Sequence, residues 1–128
     1  MITYGFSKKV DMPFDEAIDK VTTKLKKEGF GILSRIDVRE KLKQKLGIDF
    51  MDYVILGACN PAMAHQAILA EENIGLMLPC NVIVYEKDSE TIISIIKPSA
   101  AMSMIDNESL KGVALKVETK LEKAFHSL

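Results

Sequence analysis

The side chains most able to do chemistry gather around two cysteines in the middle of the chain. Cys59 precedes Asn60-Pro61, a strong helix start because Asn is a favoured N-cap and Pro suits the first helical position. The unpaired amides and positive dipole end of that helix favour a thiolate at Cys59. His65 lies one turn into the helix, and Cys80 opens the strand that follows it.

A thiolate, a second thiol and an imidazole at one place support three kinds of chemistry. They can bind a soft metal ion, undergo thiol–disulfide exchange, or act as nucleophile and base. The spacing of Cys59, His65 and Cys80 matches no standard zinc pattern, and no Asp or Asn is clearly placed to orient His65. Free cysteines usually pack as small apolar side chains. Packing is therefore the simplest interpretation, and any metal or cofactor stays unknown.

Apolar periodicity predicts the elements that must position these residues, in the order β-α-β-α-β-α-β-β-α. Asp37 and Glu40 fit the two ends of a capping box, and Asp88-Ser89-Glu90 predicts a hairpin turn. Because strands and helices do not alternate regularly, we expect an α+β fold with a largely antiparallel five-stranded sheet, two long helices and two short helices. The strands are expected at 2–10, 30–38, 53–59, 78–86 and 91–97, and the helices at 13–29, 38–47, 61–73 and from 106 or 107 onward.

Antiparallel pairing of the third and fourth strands would place the end of one beside the start of the other. Cys59 and Cys80 are then near neighbours, whereas a parallel crossover would separate them by roughly 15–20 Å. The last three strands are also apolar on both sides, so each face of the sheet needs a cover. The long helices can cover one face, and a second copy of the chain or the short helices must cover the other. We therefore expect a homodimer.

Composition limits the possible partners. The chain has 128 residues, 48% of them apolar and 27% charged, with a net charge of −1, which is typical of one globular domain spanning 1–128. No global field attracts nucleic acid or an anionic membrane. The basic run at Arg39, Lys41, Lys43 and Lys45 has no interleaved aromatic residues, so we expect no specific nucleic-acid binding.

The longest uncharged apolar stretch, 74–80, is far short of the ~20 residues that span a bilayer, and the N-terminus does not resemble a signal peptide. A cytoplasmic location with reduced cysteines is therefore expected. Four methionines are expected to fill the core: Met63, Met77, Met102 and Met104.

Three segments resemble the domain-of-unknown-function family 302, a family of small prokaryotic proteins: GFGILSRIDV at 29–38, LGACNP at 56–61 and IGLMLPCNVIVYE at 74–86. The similarity runs from the first strand to the final helix. It implies a TATA-binding-protein-like fold with a curved antiparallel sheet backed by helices, and a dimer, but no established activity. Lys97 stands where the family would have an acidic residue. The matching positions are Asp37, Gly57, Cys59, Asn60, Pro61, Glu71, Gly75, Pro79 and Cys80.

Three functions follow as hypotheses. The first is a dimeric cytoplasmic module that binds a small ligand or metal near Cys59 and Cys80. The second is a thiol-dependent enzyme in which Cys59 is the nucleophile and His65 the base. The third is a structural or regulatory dimer without chemistry. Asp37 and Glu71 are secondary candidate site residues.

Overall fold

The computed structural model describes residues 2–128 and places five strands in one sheet. The sheet has the order β1-β5-β4-β3-β2, and all four neighbouring pairs are antiparallel. The predicted α+β fold with a five-stranded antiparallel sheet is therefore confirmed. Asp88 and Ser89 form the β4–β5 turn with positive φ angles of 53° and 63°. The strands are β1 (Gly5–Val10), β2 (Gly31–Asp37), β3 (Tyr53–Cys59), β4 (Cys80–Lys87) and β5 (Glu90–Ile96).

The helices begin and end at identifiable capping residues. Asp37 accepts a hydrogen bond from the Glu40 amide at 3.0 Å, and Asn107 accepts one from the Leu110 amide at 3.0 Å. Gly47, in the left-handed region at φ 66°, ends the second helix. The helices are α1 (Phe14–Lys27), α2 (Val38–Leu46), α3 (Pro61–Ala70), α4 (Pro98–Ala101) and α5 (Glu108–His126), and a 3-10 helix spans Glu72–Met77.

The segment between β3 and β4 differs from the predicted single helix to about residue 73. Helix α3 ends at Ala70, because the Asn107 side chain donates to the Ala70 carbonyl at 2.8 Å. Glu71 then adopts an extended conformation before the 3-10 helix begins. Asn107 thus caps both the end of α3 and the start of α5. Its side chain connects the two helices by reaching Ala70, which is 37 residues earlier in the chain. The short helix α4 was not predicted.

The inner face of the sheet carries the main core. Helices α1 and α5 pack together, and α1 contacts β4 and β5. A second, smaller core lies between α3, the 3-10 helix and α5, with Ile74 and Leu110 at 1% and 0% exposure. Val117 packs against both cores and marks the seam between them. The sealed inner-face residues are Val54, Leu56, Ala58, Val82, Val84, Ile93 and Ile95.

The outer face of the sheet borders a solvent-open depression of about 410 Å³, whose walls include Tyr53, Ile83 and Tyr85. Strand β2 contributes to both faces because its register shifts between Ile32 and Ser34. Ile32 lies opposite Ala58, whereas Ile36 lies opposite Ile55. A bulge after Ile32 therefore inverts the side of the sheet on which the later residues of β2 lie.

Helix α2 lies at the margin of the fold. It has no buried residue, and Leu46 is 66% exposed. Its basic residues are partly paired, since Arg39 bonds Asp52 at 2.8 Å and Lys43 bonds Asp49 at 3.2 Å.

Candidate functional site

The two cysteines lie at the same end of the sheet. Cys80, the first residue of β4, is opposite Ala58, and Cys59 is the next residue of β3. The predicted antiparallel pairing of β3 and β4 is thus confirmed, and it makes the cysteines neighbours. Both are free thiols; Cys59 is partly exposed and Cys80 is buried.

A cavity of about 30 Å³ lies against both cysteines, at the seam between the two cores. A buried water needs ~10–15 Å³ measured in this way, and a drug-sized ligand ~300–1,000 Å³. The cavity therefore fits an ion or a group of a few atoms. Its lining is apolar apart from Asn60 and the two thiols: Phe30, Ala58, Cys59, Asn60, Met63, Ala64, Ala67, Leu78, Pro79, Cys80, Pro98, Met102, Leu110, Val113, Ala114 and Val117.

Burial keeps Cys80 as a neutral thiol. The residue is 8% exposed, and this burial raises the pKa of Cys80 to about 11, with a smaller contribution from neighbouring Cys59. A thiolate is disfavoured in an apolar environment because it loses its hydration. At neutral pH Cys80 therefore brings no charge to the cavity.

Asn60 fixes the start of α3 beside Cys59. Its side-chain oxygen accepts from the Met63 amide at 3.3 Å, and its amide nitrogen donates to the Glu28 carbonyl at 3.5 Å. Gly29, at φ 88°, allows this approach, since a Cβ there would lie 3.0 Å from the Asn60 amide nitrogen. Asn60 thus connects the end of α1 to the beginning of α3, and Pro61 occupies the first turn of α3 as predicted.

His65 does not join the cysteines. It is exposed and does not line the cavity, whereas Met63, Ala64 and Ala67 of the same helix do. Consecutive helical residues are turned by about 100°, so a helix that presents residue 64 to the cavity turns residue 65 away. Within residues 2–128, no group of three or more His, Cys, Asp or Glu side chains is placed to hold a metal ion. The predicted Cys59–His65–Cys80 cluster is corrected accordingly.

The secondary candidates Asp37 and Glu71 have structural roles. Asp37 caps α2, and Glu71 accepts from the Asn107 side chain at 3.2 Å. Neither residue lines the cavity. The chemistry of the site thus depends on the cysteines and their apolar surroundings.

Gly57 and Pro79 also serve packing. A Cβ at Gly57 would lie 2.7 Å from the Pro79 ring and would collide with the Ser34 hydroxyl. Glycine lets the segment before β4 lie close to β3, which brings Cys80 to its position opposite Ala58. Of the positions that the family resemblance singles out at this end of the sheet, Cys59 and Cys80 are the ones without a capping or close-packing role.

Sequence reasoning missed the part played by two methionines. Met63 and Met102 line the cavity, and Met102 is 6% exposed. Met104, which was predicted in the core, is 79% exposed. Met63 follows the N-cap Asn60 by three residues, so its position near Cys59 could have been predicted. Met102 follows the unpredicted helix α4, and no sequence signal placed it at the site.

An open antiparallel sheet with helices on its inner face, and a small thiol-lined cavity at one end, define a compact α+β class of domain. The family model described as "Domain of unknown function DUF302" matches residues 6–128, and the chain belongs to this family. The resemblance noted in the sequence is thereby confirmed.

A solved structure described as the uncharacterized conserved protein DUF302 from Bacillus stearothermophilus has the same fold. It is 33% identical, the match covers 96% of each chain, and the TM-score is 0.89. The search of curated proteins gives no match. Among residues 2–128, no helix is long and apolar enough to cross a membrane.

Proposed function

We propose that this protein is a binding module that holds a ligand of a few atoms, or a metal ion, in the cavity bordered by Cys59 and Cys80. The observation that carries the proposal is the cavity itself, which lies at the seam of the two cores and is lined by residues that include both free cysteines. Close packing is the normal condition of a protein interior, so a gap beside reactive groups favours a binding role. A cytoplasmic location would keep both thiols reduced and available.

Binding has more support than thiol catalysis. A catalytic cysteine needs a base within hydrogen-bond reach, and His65 is exposed on the part of α3 that does not line the cavity. Burial raises the pKa of Cys80 to about 11, which makes it a poor nucleophile at neutral pH. These two features weaken the hypothesis of a thiol-dependent enzyme.

Native mass spectrometry of freshly purified, reduced protein tests the binding role. We expect an adduct on the wild-type chain, loss of that adduct in Ala64→Leu, and its retention in Ala62→Leu. Ala64 lines the cavity, whereas Ala62 is an exposed alanine of the same helix, so the pair is matched in substitution and element. A wild-type chain without any adduct would instead favour a purely structural or regulatory role.

We also propose that the module is a homodimer formed through the outer face of the sheet. Tyr53 and Tyr85 stack there with ring centroids 5.4 Å apart, beside the cross-strand pair Ile55 and Ile83. In a two-fold dimer each patch meets its own copy, so like charges at its centre would repel. The centre of this face is uncharged among the described strand residues, and Lys9, Lys87 and Glu90 lie at its β4–β5 turn end.

A charge at the centre of the outer face tests the dimer. We expect the wild type to have about twice the chain mass of 14.2 kDa in light scattering, and Ile83→Asp to have the mass of one chain. Leu115→Asp is the control, since Leu115 is 56% exposed on α5 in the helical layer. A wild-type monomer at micromolar concentration, or an Ile83→Asp variant that stays dimeric, would contradict this interface.

A further inference from the structure

We propose that the ligand of this module is an uncharged amphiphile. Its short aliphatic end enters the cavity at the seam, and its neutral polar group lies in an adjoining groove. This inference rests on the proposed binding function and names its ligand class, since the few atoms in the cavity are the end of a longer molecule. The groove is open to solvent, has a volume of about 300 Å³, and is formed by the 3-10 helix, the start of β4 and helix α4.

The groove and the cavity have a common wall. Met102 is the most adaptable part of this wall, because an unbranched side chain with three rotatable bonds fills irregular spaces in more than one way. It is 6% exposed, and in the proposed complex it turns aside and connects the two spaces. The residues that line both spaces are Leu78, Pro79, Cys80, Pro98 and Met102.

The walls favour an uncharged ligand. Within residues 2–128, no Asp, Glu, Lys, Arg or His side chain lines the cavity or the groove. Burial raises the pKa of Cys80 to about 11, so its thiol is neutral at physiological pH. A charged group that entered either space would lose hydration without gaining an ion pair.

The polar side chains indicate which end of the ligand lies where. Asn60 lines the cavity, but its side chain already bonds the Met63 amide and the Glu28 carbonyl. Asn81 is exposed and lines only the groove, where its amide can both donate to and accept from a hydroxyl or amide group. The apolar end therefore suits the cavity and the polar end suits the groove.

The groove also offers apolar surface and adequate size. Leu76 lines it and is 89% exposed, so an aliphatic chain in the groove would remove apolar area from water. Sites for small molecules are typically concave and mostly apolar, with a few polar groups and volumes of ~300–1,000 Å³. The cavity alone is below this range, whereas the groove reaches it.

Titration of the reduced protein with 1-hexanol, followed by the NMR shifts of its backbone amides, tests the proposal. We expect saturable binding with shifts at Leu78, Cys80 and Met102. Binding should be about 15-fold tighter than for 1-butanol, because each of two further buried methylene groups contributes about fourfold. Hexanoate and hexylammonium have the same chain length and should bind at least about tenfold more weakly than 1-hexanol, because each carries a charge.

Four alanine-to-leucine variants locate the ligand. Ala64 lines the cavity alone and Ala101 lines the groove alone, so leucine at either position should weaken 1-hexanol binding at least about tenfold. Ala62→Leu and Ala100→Leu are the matched controls on the same two helices. Neither residue lines either space, so both controls should bind within about twofold of wild type. Thermal unfolding of each variant verifies that it is folded.

The amphiphile proposal and the binding function fail in different ways. Absence of saturable 1-hexanol binding, or equally tight binding of hexanoate or hexylammonium, would overturn the amphiphile proposal. Binding that Ala101→Leu weakens and Ala64→Leu does not would also overturn it, since the chain would then stay in the groove. An adduct in native mass spectra that Ala64→Leu removes, from a protein that binds no 1-hexanol, would retain the binding function alone. Absence of both would overturn both.

Discussion

The two faces of the sheet consist of alternate residues of the same strands, yet they have different surroundings. On β5, Ile93 points inward and is 0% exposed, whereas its neighbour Ile92 points outward and is only partly buried. The inner face consists mainly of aliphatic side chains under helices. The outer face combines aromatic residues with small polar ones, including a hydrogen bond of 2.7 Å between Ser7 and Ser94.

This difference shows that apolar character does not by itself decide burial. Both faces carry isoleucines, but the connections of the chain place α1 and α5 on one side only. The outer face therefore retains apolar surface that a partner can cover, as the dimer proposal requires. At one end of the inner face the helices leave a gap between two cores, and the cysteines lie against that gap.

The largest expected effect is a difference in stability between two substitutions on β5, one on each face of the sheet. Ile93→Ala should lower the free energy of unfolding by about 2–5 kcal/mol, because it removes buried methyl groups and leaves a cavity. Ile92→Ala should cost under about 1.5 kcal/mol in the monomer, since the side chain is partly hydrated already. Urea unfolding of both variants, in the background of Ile83→Asp to prevent association, measures the difference. Equal losses would mean that the outer face is as well packed as the inner one.

Much of this fold could be predicted from local sequence signals. The N-caps at Asp37 and Asn60 and the turn at Asp88-Ser89 lie where residue type predicted them, and the N-cap of the last helix is Asn107, one of the two predicted starting positions. Such signals act over a few residues, so a single sequence contains them. The features that were not predicted depend on contacts between residues far apart in the chain. One example is the end of α3 at Ala70, where the Asn107 side chain bonds the Ala70 carbonyl.

In the candidate site, too, some features follow from local sequence signals and others depend on long-range packing. The neighbouring positions of Cys59 and Cys80 followed from an antiparallel pairing that the sequence predicts. The role of His65 could not be decided in that way, because it depends on which side of α3 faces the cavity. That orientation is set by the packing of α3 against α5, between residues far apart in the chain. The contribution of Met102 depends on the same packing.

A thiolate at Cys80, which is buried on the inner face, should destabilise the folded protein. Burial raises the pKa of Cys80 from 9.0 to about 11, so the unfolded chain loses this proton before the folded chain does. The stabilising contribution is complete below about pH 9 and is lost as the pH rises through 11, by about 3 kcal/mol in total once the pH is well above 11. Urea unfolding under reductant at about pH 8 and pH 11 measures it.

Cys80→Ala is the control for this measurement, because it removes the titrating group. The stability advantage of the wild type over Cys80→Ala should shrink by about 2 kcal/mol between the two pH values. An advantage that does not change with pH would show that the Cys80 thiol is hydrated in the folded protein, contrary to its burial on the inner face.

A hydrogen-bonded pair of hydroxyls on the outer face, Ser7 and Ser94, should make a smaller contribution to stability. Ser94 is 9% exposed and shares its hydrogen bond with Ser7 on the neighbouring strand. Ser7→Ala should cost about 0.5–1.5 kcal/mol, because it leaves the Ser94 hydroxyl without this partner. The double variant Ser7→Ala/Ser94→Ala should cost less than the sum of the single variants. Strict additivity in this cycle would mean that the two hydroxyls do not interact.

The smallest expected effect lies at the margin of the outer face. Lys9 and Glu90 form an ion pair of 3.2 Å, with side-chain exposures of 62% and 53%. Water screens such a pair, and holding two long side chains together costs conformational entropy, so Lys9→Ala should change the stability by under about 0.5 kcal/mol. The change should be smaller still in 1 M salt. Urea unfolding at low and high salt, with Lys9→Ala compared with Ser7→Ala on the same strand, measures both effects. A loss at Lys9 larger than the loss at Ser7 would show that the outer face depends on its charged margin rather than on the hydrogen bond and apolar side chains nearer its centre.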